Sequence, residues 1–410
     1  MKTIIYLTDF IEGKSNIASV RYEGLMSILS KKYNMVVVNN KKYENKNTIY
    51  STKNFKFDTV TSKYENLWTT KKEKRVSTIE RLIRKCKPFM ILWRNICRSQ
   101  IIFNIKNRNM YKTLFDYMYK NNIYKIIATV PDIHILYIAK VLKNKFPNTP
   151  IIVEARDILN SNIGDANPIR ARVKAEKIML KNADGIIALT DGIRDYYINN
   201  SIMPYKNKIT TITNGYNQED FLNIDDKKID LNRKDLKIAH IGSIYAGRNI
   251  KDFILGLIKL SNTLSINIEF DLVGFLDGEA IEDIESLKED INMSRVKINI
   301  TGTKDHKEAI DYLNKADIAA ILTHREGSFY AIPGKVFEYI GSRTPIIAVT
   351  KDFELTKIVN GKYGECADHN SEDIKDKLLK IINKEYDFSD REAYSRQIQA
   401  NKIDKFINSI

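Results

Sequence analysis

Short apolar runs alternate with amphipathic helical patterns almost from one end of this chain to the other. Antiparallel strands can be joined by a two-residue turn, whereas parallel strands need a crossover, so this spacing argues for α/β units with parallel sheets. In the first half the expected strands are 3–8, 35–40, 125–130, 151–156 and 185–190, with helices at 16–32 and 133–144 among those between them. A polar stretch over 203–235 interrupts the alternation and encloses one further apolar run, 209–213. The pattern then restarts, with strands expected at 236–242, 269–274, 296–302, 318–323 and 345–350. Their helices fall near 249–264, 280–291, 306–315 and 334–341. A length of 410 residues suits two doubly wound halves. We read 1–204 as a first lobe with an insertion at about 43–122, 205–389 as a second lobe, and 390–410 as a final helix crossing back to the first.

Charge adds a second constraint. The net charge is +15, and sixteen Lys/Arg against four Asp/Glu between Lys63 and Lys125 place +12 of it in one segment. Phe89, Met90, Leu92, Trp93, Ile101 and Phe103 are interleaved with those cations. Such a segment can grip nucleic acid, lie on an anionic membrane, or form a solvated helical face. A phosphate grip needs no Phe-Met-Ile-Leu-Trp run, so the membrane is favoured over nucleic acid, and no nucleic-acid partner is expected. No uncharged run exceeds ten residues, against roughly 20 apolar residues for a spanning helix. Three cysteines without metal or redox spacing fit a reducing compartment. The expectation is a cytoplasmic protein, peripheral on the inner face of the cell membrane.

Several chemistries lack their motif. There is no Gly-x-Gly, hence no dinucleotide fingerprint, and no Asp-x-Asp to clamp a metal-bound nucleotide. No His-x-x-x-His and no Gly-x-Ser-x-Gly elbow occurs. Neither a metal nor another cofactor is expected.

Two segments of the second half carry positive information. The first is His240-Ile-Gly242-Ser243-Ile-Tyr-Ala-Gly247-Arg248-Asn249, a strand entering a glycine-bearing turn before a helix. The second runs from Arg325-Glu326-Gly327 through Tyr330 to Pro333-Gly334-Lys335-Val-Phe337-Glu338-Tyr339. In parallel sheets ligands sit beyond the C-terminal strand ends. Small residues there let backbone N–H groups approach a phosphate, and Arg248 adds an always charged donor. Pro333-Gly334 reads as a loop and first helical turn whose free N–H groups, with Lys335, suit a second phosphate oxygen. Glu338 is placed one turn further, where a carboxylate can accept from two ribose hydroxyls. The alternative is a pair of ordinary strand-to-helix turns with Glu338 as a surface charge.

Together these segments resemble family GT4 of the retaining glycosyltransferases, in the group with a Phe-Glu-Tyr signature that builds bacterial surface polysaccharides. The resemblance extends to residues 8–29 with Ser15, Ser19 and Arg21, to Glu154-Ala-Arg156-Asp157, to Ala183-Asp184-Gly185 through Gly192, and to Asn214-Gly215. It implies the GT-B fold, two Rossmann-like lobes with parallel sheets facing across a cleft. It implies transfer of a hexose or N-acetylhexosamine from a nucleotide diphosphate sugar, UDP-linked on family frequency, to a saccharide or lipid-linked acceptor. Gly242, Ser243, Arg248, Pro333, Gly334, Lys335 and Glu338 would hold the nucleotide, and Glu326, Gly327 and Tyr330 the donor sugar. Arg248 and Lys335 would stabilise the departing diphosphate in place of a metal, and His134 would face the reacting sugar. The sequence departs from the family pattern twice. Ser243 stands where a basic residue is common, and Tyr330 where the first glutamate of the usual pair belongs. His134 can equally be a helix-start histidine bonded to a neighbour, His240 reads as structural, and Asp157 as ordering a loop. His324 and Arg325 end a strand close to the expected donor sugar.

Overall fold

The computed structural model describes residues 1–9, 17–41, 50–59, 88, 96, 99–160, 169–200, 208–222, 224, 225, 227, 229, 230, 234–245 and 247–410. The chain divides into two compact units. One comprises Met1–Leu189, Ile193–Ile212 and Ala400–Ile410, the other Thr190–Gly192 and Thr213–Gln399.

The first unit holds seven strands: β1 (Lys2–Thr8), β2 (Tyr33–Asn40), β3 (Lys53–Phe57), β4 (Ile123–Val130), β5 (Ile151–Ala155), β6 (Gly185–Ala188) and β7 (Ile209–Thr211). All pair in parallel, in the order β3-β2-β1-β4-β5-β6-β7. Runs such as Val36-Val37-Val38 and Ile126-Ile127-Ala128 are buried throughout, as strands covered on both faces require. The helix Ile133–Lys145 starts where the Asp132 side chain accepts the His134 N–H, and it carries eight buried residues. Ile209–Thr211 pairs with β6, so the first unit runs on to Ile212, past the join expected near 205. Within the final helix, Arg396–Ser409, the residues Ala400, Ile403 and Ile407 enter the first unit's core. Asp404 fixes that end through Tyr33 at 2.6 Å and Lys32 at 2.7 Å.

The segment expected as an insertion contributes to this unit's framework. β3 extends the sheet beyond β2, and the helices Gln100–Lys106 and Arg108–Lys120 bury Phe103, Met110, Tyr111, Leu114 and Met118. This corrects one expectation. Phe103, grouped above with membrane-facing residues, is fully buried between Phe57 and Tyr137. Ile101 and Ile105 are 70% and 64% exposed. Phe89, Met90, Leu92 and Trp93 lie outside the described residues.

The second unit has six parallel strands: β8 (Asp235–Ile241), β9 (Asn267–Val273), β10 (Val296–Gly302), β11 (Ile318–Leu322), β12 (Ile346–Val349) and β13 (Gly364–Ala367). Their order is β10-β9-β8-β11-β12-β13, the doubly wound arrangement in which strand order reverses between β8 and β11. Asn249, Asp277, Asp305 and Asn370 each cap a helix by accepting a backbone N–H. Lys227, before β8, donates to the carbonyls of Leu313, Asn314 and Ala316 and so closes the C-terminal end of helix His306–Lys315.

Candidate functional site

In doubly wound sheets the strands on either side of the reversal send their crossovers to opposite faces, leaving a crevice at the C-terminal strand ends. In the second unit the last paired residues there are Ala239 on β8 and Ala319 on β11. Beyond them the strands part, and the Ala320 carbonyl is taken up by side chains. His240 Nδ1 lies 3.0 Å from it and the Tyr339 hydroxyl 3.3 Å. The same hydroxyl accepts the Ile241 N–H at 2.9 Å. Tyr339 thereby ties helix Lys335–Gly341 to both strands, and Phe337 packs into the core against Tyr394.

That tie seats Lys335 at the mouth of β8. Its Nζ lies 3.1 Å from His240 Nε2. A carbonyl only accepts, so His240 carries its proton on Nδ1 and offers Nε2 as a lone pair to the amine. Burial, then the charges of Lys335 and Arg248, hold the His240 imidazole well below its usual pKa, consistent with that neutral form. Burial also brings the Lys335 amine down to about 7, with Arg248 adding repulsion and Glu338 opposing it.

Gly242 follows directly, with φ of +112°. A Cβ there would sit 2.9 Å from Lys335 Nζ, so only glycine suits both the backbone and the amine above it. Gly274 backs this turn so closely that a Cβ on it would come within 2.4 Å of the Gly242 carbonyl oxygen. Arg248 curls over the same turn. Its Nη1 donates to the Ser243 carbonyl at 2.8 Å and its guanidinium stacks 4.3 Å above the Tyr245 ring. Its Nε is buried with no partner among the described residues. Gly242, Ser243, Arg248 and Lys335 thus meet at the strand reversal.

The remaining expected residues are placed less simply. Around Pro333 and Gly334, the N–H groups of Val336 and Phe337 bond the Pro333 and Gly334 carbonyls at 3.1 and 3.3 Å. Those two donors are therefore used within the turn, contrary to the expectation of free N–H groups there. Glu338 stands one turn on from Lys335, its side chain 21% exposed and 3.9 Å from His306 Nδ1. Burial raises its carboxyl above the usual range, with His306 and Arg396 opposing. His306, which the sequence did not single out, bonds Asp220 at 2.9 Å, and that bond raises its imidazole.

Glu326 is exposed. Gly327, at φ +67°, is pressed against Lys351. Tyr330 is buried, and its carbonyl accepts the Thr190 hydroxyl at 2.8 Å. A Cβ on Gly192 would fall 2.6 Å from the Phe329 carbonyl oxygen, so residues 190–192 form the seat of this loop. Arg325 turns to Asn249 and Asp252 at 3.0 and 3.4 Å, while His324 bridges to Arg248 along the backbone.

The first unit has its own reversal, between β1 and β4. A small pocket there is lined by Tyr6, Thr8, Arg21, Thr129, Glu154 and Arg156 among others. Arg21 Nε meets Glu154 at 2.7 Å, Tyr6 donates to the second oxygen of the same carboxylate at 2.9 Å, and Arg156 reaches Asp9 at 3.4 Å. Burial raises the Asp9 carboxyl, with Arg156 opposing. His134 is 1% exposed, its Nδ1 2.8 Å from Asp132 and its ring 4.9 Å from that of Phe103. Its Nε2 has no partner among the described residues. Asp157 accepts the Ile158 N–H. Among the described residues no group of three or more His, Cys, Asp or Glu could hold a metal ion, and no helix is long and apolar enough to cross a membrane.

Comparison with known proteins adds the family context. Residues 223–402, most of the second unit, match the family described as Glycosyl transferases group 1. None of the curated proteins matches this sequence. Among solved structures, the lipopolysaccharide outer core galactosyltransferase WaaB in its apo form superposes with a TM-score of 0.66 at 13% identity, covering 99% of each chain. Anabaena HepE in complex with UDP gives 0.65 at 12% identity, over all of both chains. A putative UDP-N-acetylglucosamine 2-epimerase from Listeria monocytogenes gives 0.56 at 11%, covering 100% of this chain and 96% of that one. The fold is GT-B, two Rossmann-like α/β units, as in glycosyltransferases.

Proposed function

We propose that this protein is a retaining glycosyltransferase of family GT4 that moves a hexose or N-acetylhexosamine from a nucleotide diphosphate sugar, UDP-linked, to a saccharide or lipid-linked acceptor in cell-surface polysaccharide synthesis. One observation carries the reading. Lys335 over Gly242 and Arg248 on the adjoining Ser243 carbonyl share one turn at the strand reversal of the unit that matches the transferase family, with Glu338 one helical turn away. A diphosphate over Gly242 meets two cationic side chains, and a ribose beside it meets a carboxylate. UDP in the HepE complex supports uridine as the base.

In the reaction, the bond from the anomeric carbon to the diphosphate oxygen breaks and its electron pair leaves with the diphosphate. Arg248 and Lys335 stabilise the charge that develops there, taking the part a metal plays elsewhere. The acceptor hydroxyl attacks from the same face, and the departing oxygen takes its proton. Glu326, Gly327 and Tyr330 are proposed to line the hexose site. The deciding experiment is a thermal-shift panel of UDP, GDP, ADP and dTDP. A ligand at 100-fold its dissociation constant stabilises by about 2.7 kcal/mol, and a flat response to all four overturns the donor site. An epimerase shares this fold, so the matching sugar nucleotide is then incubated without acceptor, and formation of an epimer favours that activity instead.

The acceptor reading includes a membrane. Ile96, Ile101 and Ile105 are exposed on a segment whose neighbours Arg108, Lys112 and Lys120 are exposed too. Each cation near an anionic surface contributes about 1 kcal/mol. Flotation with phosphatidylglycerol vesicles is expected at low salt and is lost at high salt. Replacing Lys71, Lys72, Lys74 and Arg75 with Gln, all four outside the described residues, is expected to weaken it. Equal recovery with neutral vesicles overturns the membrane role.

A further inference from the structure

His240 reads from sequence as a structural histidine, yet its placement is unusual for one. It is fully buried, its Nδ1 is committed to the Ala320 carbonyl, and its remaining lone pair points at the amine of the site rather than into the core. The Ala320 carbonyl is also held by Tyr339 from the helix that carries Lys335. The carbonyl, the imidazole and the amine therefore form a short chain whose donor and acceptor directions are fixed from the strand outward. Three groups face Lys335: His240 from β8, Arg248 from the turn after it, and Glu338 from its own helix. None is a carboxylate within ion-pair distance among the described residues. The amine thus waits in a buried position with an acceptor beneath it, a cation beside it, and Gly242 keeping the space over the turn clear.

We infer that His240 is a positioning residue which holds Lys335 over Gly242 so that the site takes up a proton from solvent as a nucleotide diphosphate binds. This rests on the reading of the cluster as the diphosphate site. The fixed lone pair of His240 accepts from the amine in either protonation state, but more strongly from the ammonium, as a charge-assisted bond. Without an anion, burial and Arg248 keep the amine largely neutral in mildly alkaline solution. An arriving diphosphate reverses that balance, since its negative charge beside the amine favours the ammonium. The buffer supplies the proton, the nitrogen lone pair receives it, and departure of the diphosphate returns it. Binding then weakens as pH rises above the free-site value, because the proton must be taken from an increasingly dilute pool.

Calorimetric titration of the full-length protein with UDP at pH 8, in buffers of different ionisation enthalpy, reads the proton directly. UDP is fully ionised at that pH and contributes no uptake of its own. Linkage predicts uptake of about one proton at pH 8, with affinity dropping up to about tenfold per pH unit between pH 7.5 and 9. Lys335→Arg is expected to bind UDP with no uptake, since guanidinium stays protonated. His240→Phe, which removes the lone pair, is expected to weaken binding and move the pH midpoint down, and His240→Gln, which restores an acceptor, to recover part of both. UDP binding without proton uptake in the wild type overturns the inference and leaves the donor site standing. Undiminished uptake in Lys335→Arg overturns it by placing the proton elsewhere, for example on His306. Absence of binding by any of the four nucleoside diphosphates removes the donor site, and the inference with it.

Discussion

The two sheets of this protein share a strand order around their reversal points, and side chains gather at both, but the charge is arranged in opposite ways. At the β1/β4 reversal each cation meets a carboxylate: Arg21 with Glu154, Arg156 with Asp9. At the β8/β11 reversal neither basic group meets a carboxylate within ion-pair distance among the described residues. Lys335 rests on a neutral histidine, and Arg248 on a carbonyl and an aromatic face. A parallel sheet therefore supplies the crevice but not its chemistry. Paired charges build a polar wall that gains little from a further anion. Basic groups desolvated without a carboxylate beside them are costly to keep charged, and an incoming diphosphate offsets that cost.

The largest effect should come from breaking the paired side. Glu154→Ala leaves the Arg21 guanidinium buried without its carboxylate, and such losses typically cost about 3–5 kcal/mol. Denaturant unfolding of the variant should report it, and replacing both partners (Arg21→Met with Glu154→Leu) should recover most of the loss. Burial acts to raise the Glu154 carboxyl, but Arg21 outweighs it and holds the group below its ordinary value. The stability it contributes is then present above pH about 4.5 and lost as pH falls through the lower folded-state value. The double variant should accordingly lose less stability in acid than the wild type. Glu154→Ala as stable as wild type would mean that the pairing holds nothing together.

On the unpaired side the expected loss is in rate. A positioned donor for developing charge is worth roughly 3–4 kcal/mol, so Arg248→Ala should lower kcat on the order of hundredfold or more while the fold is unaffected. A variant within a few-fold of wild type would remove Arg248 from the reaction. Glu338→Ala should act on affinity. Losing hydrogen bonds to a charged acceptor costs about 1.5–3 kcal/mol, which corresponds to roughly ten- to hundredfold in the UDP dissociation constant. A change confined to turnover would move Glu338 from ribose binding into the chemistry.

The same contrast explains what the sequence reveals and what it hides. Buried strands such as Ile4–Leu7 and Ile318–Leu322 are near-continuous apolar runs, and their positions follow from the order of apolar residues along the chain. β3 and β13 do not stand out. Lys53–Phe57 buries only Phe55 and Phe57, and Gly364–Ala367 contains a glycine and a glutamate, as strands at sheet edges tolerate. Gly242, Arg248, Lys335 and Glu338 are legible in sequence because glycine, cations and a carboxylate fall together where strands give way to helices, the place parallel sheets use for ligands. The task of His240 is hidden, because it depends on β8 and β11 parting after Ala239 and Ala319, which no local pattern encodes. Tyr339 is hidden for the same reason, since its partners are the Ile241 N–H and the Ala320 carbonyl on two different strands. A histidine two residues before a turn glycine, in the apolar second half of β8, is the one signal that could have pointed to the pair.

The smallest expected effect is the sharpest test of the unpaired side. If Lys335 and Arg248 neutralise the departing diphosphate, a divalent ion has little left to stabilise, and the Asp-x-Asp that usually anchors one does not occur in the sequence. Glu338 is a poor substitute, because it stands beside His306, and its raised carboxyl binds a cation less readily than an ordinary one. Turnover of the donor should therefore be the same in EDTA as in magnesium or manganese, with Kd for UDP unchanged. Abolished turnover in chelator, restored by either metal, would mean that the two cations only bind the nucleotide and that the charge of the leaving group is met by a metal after all.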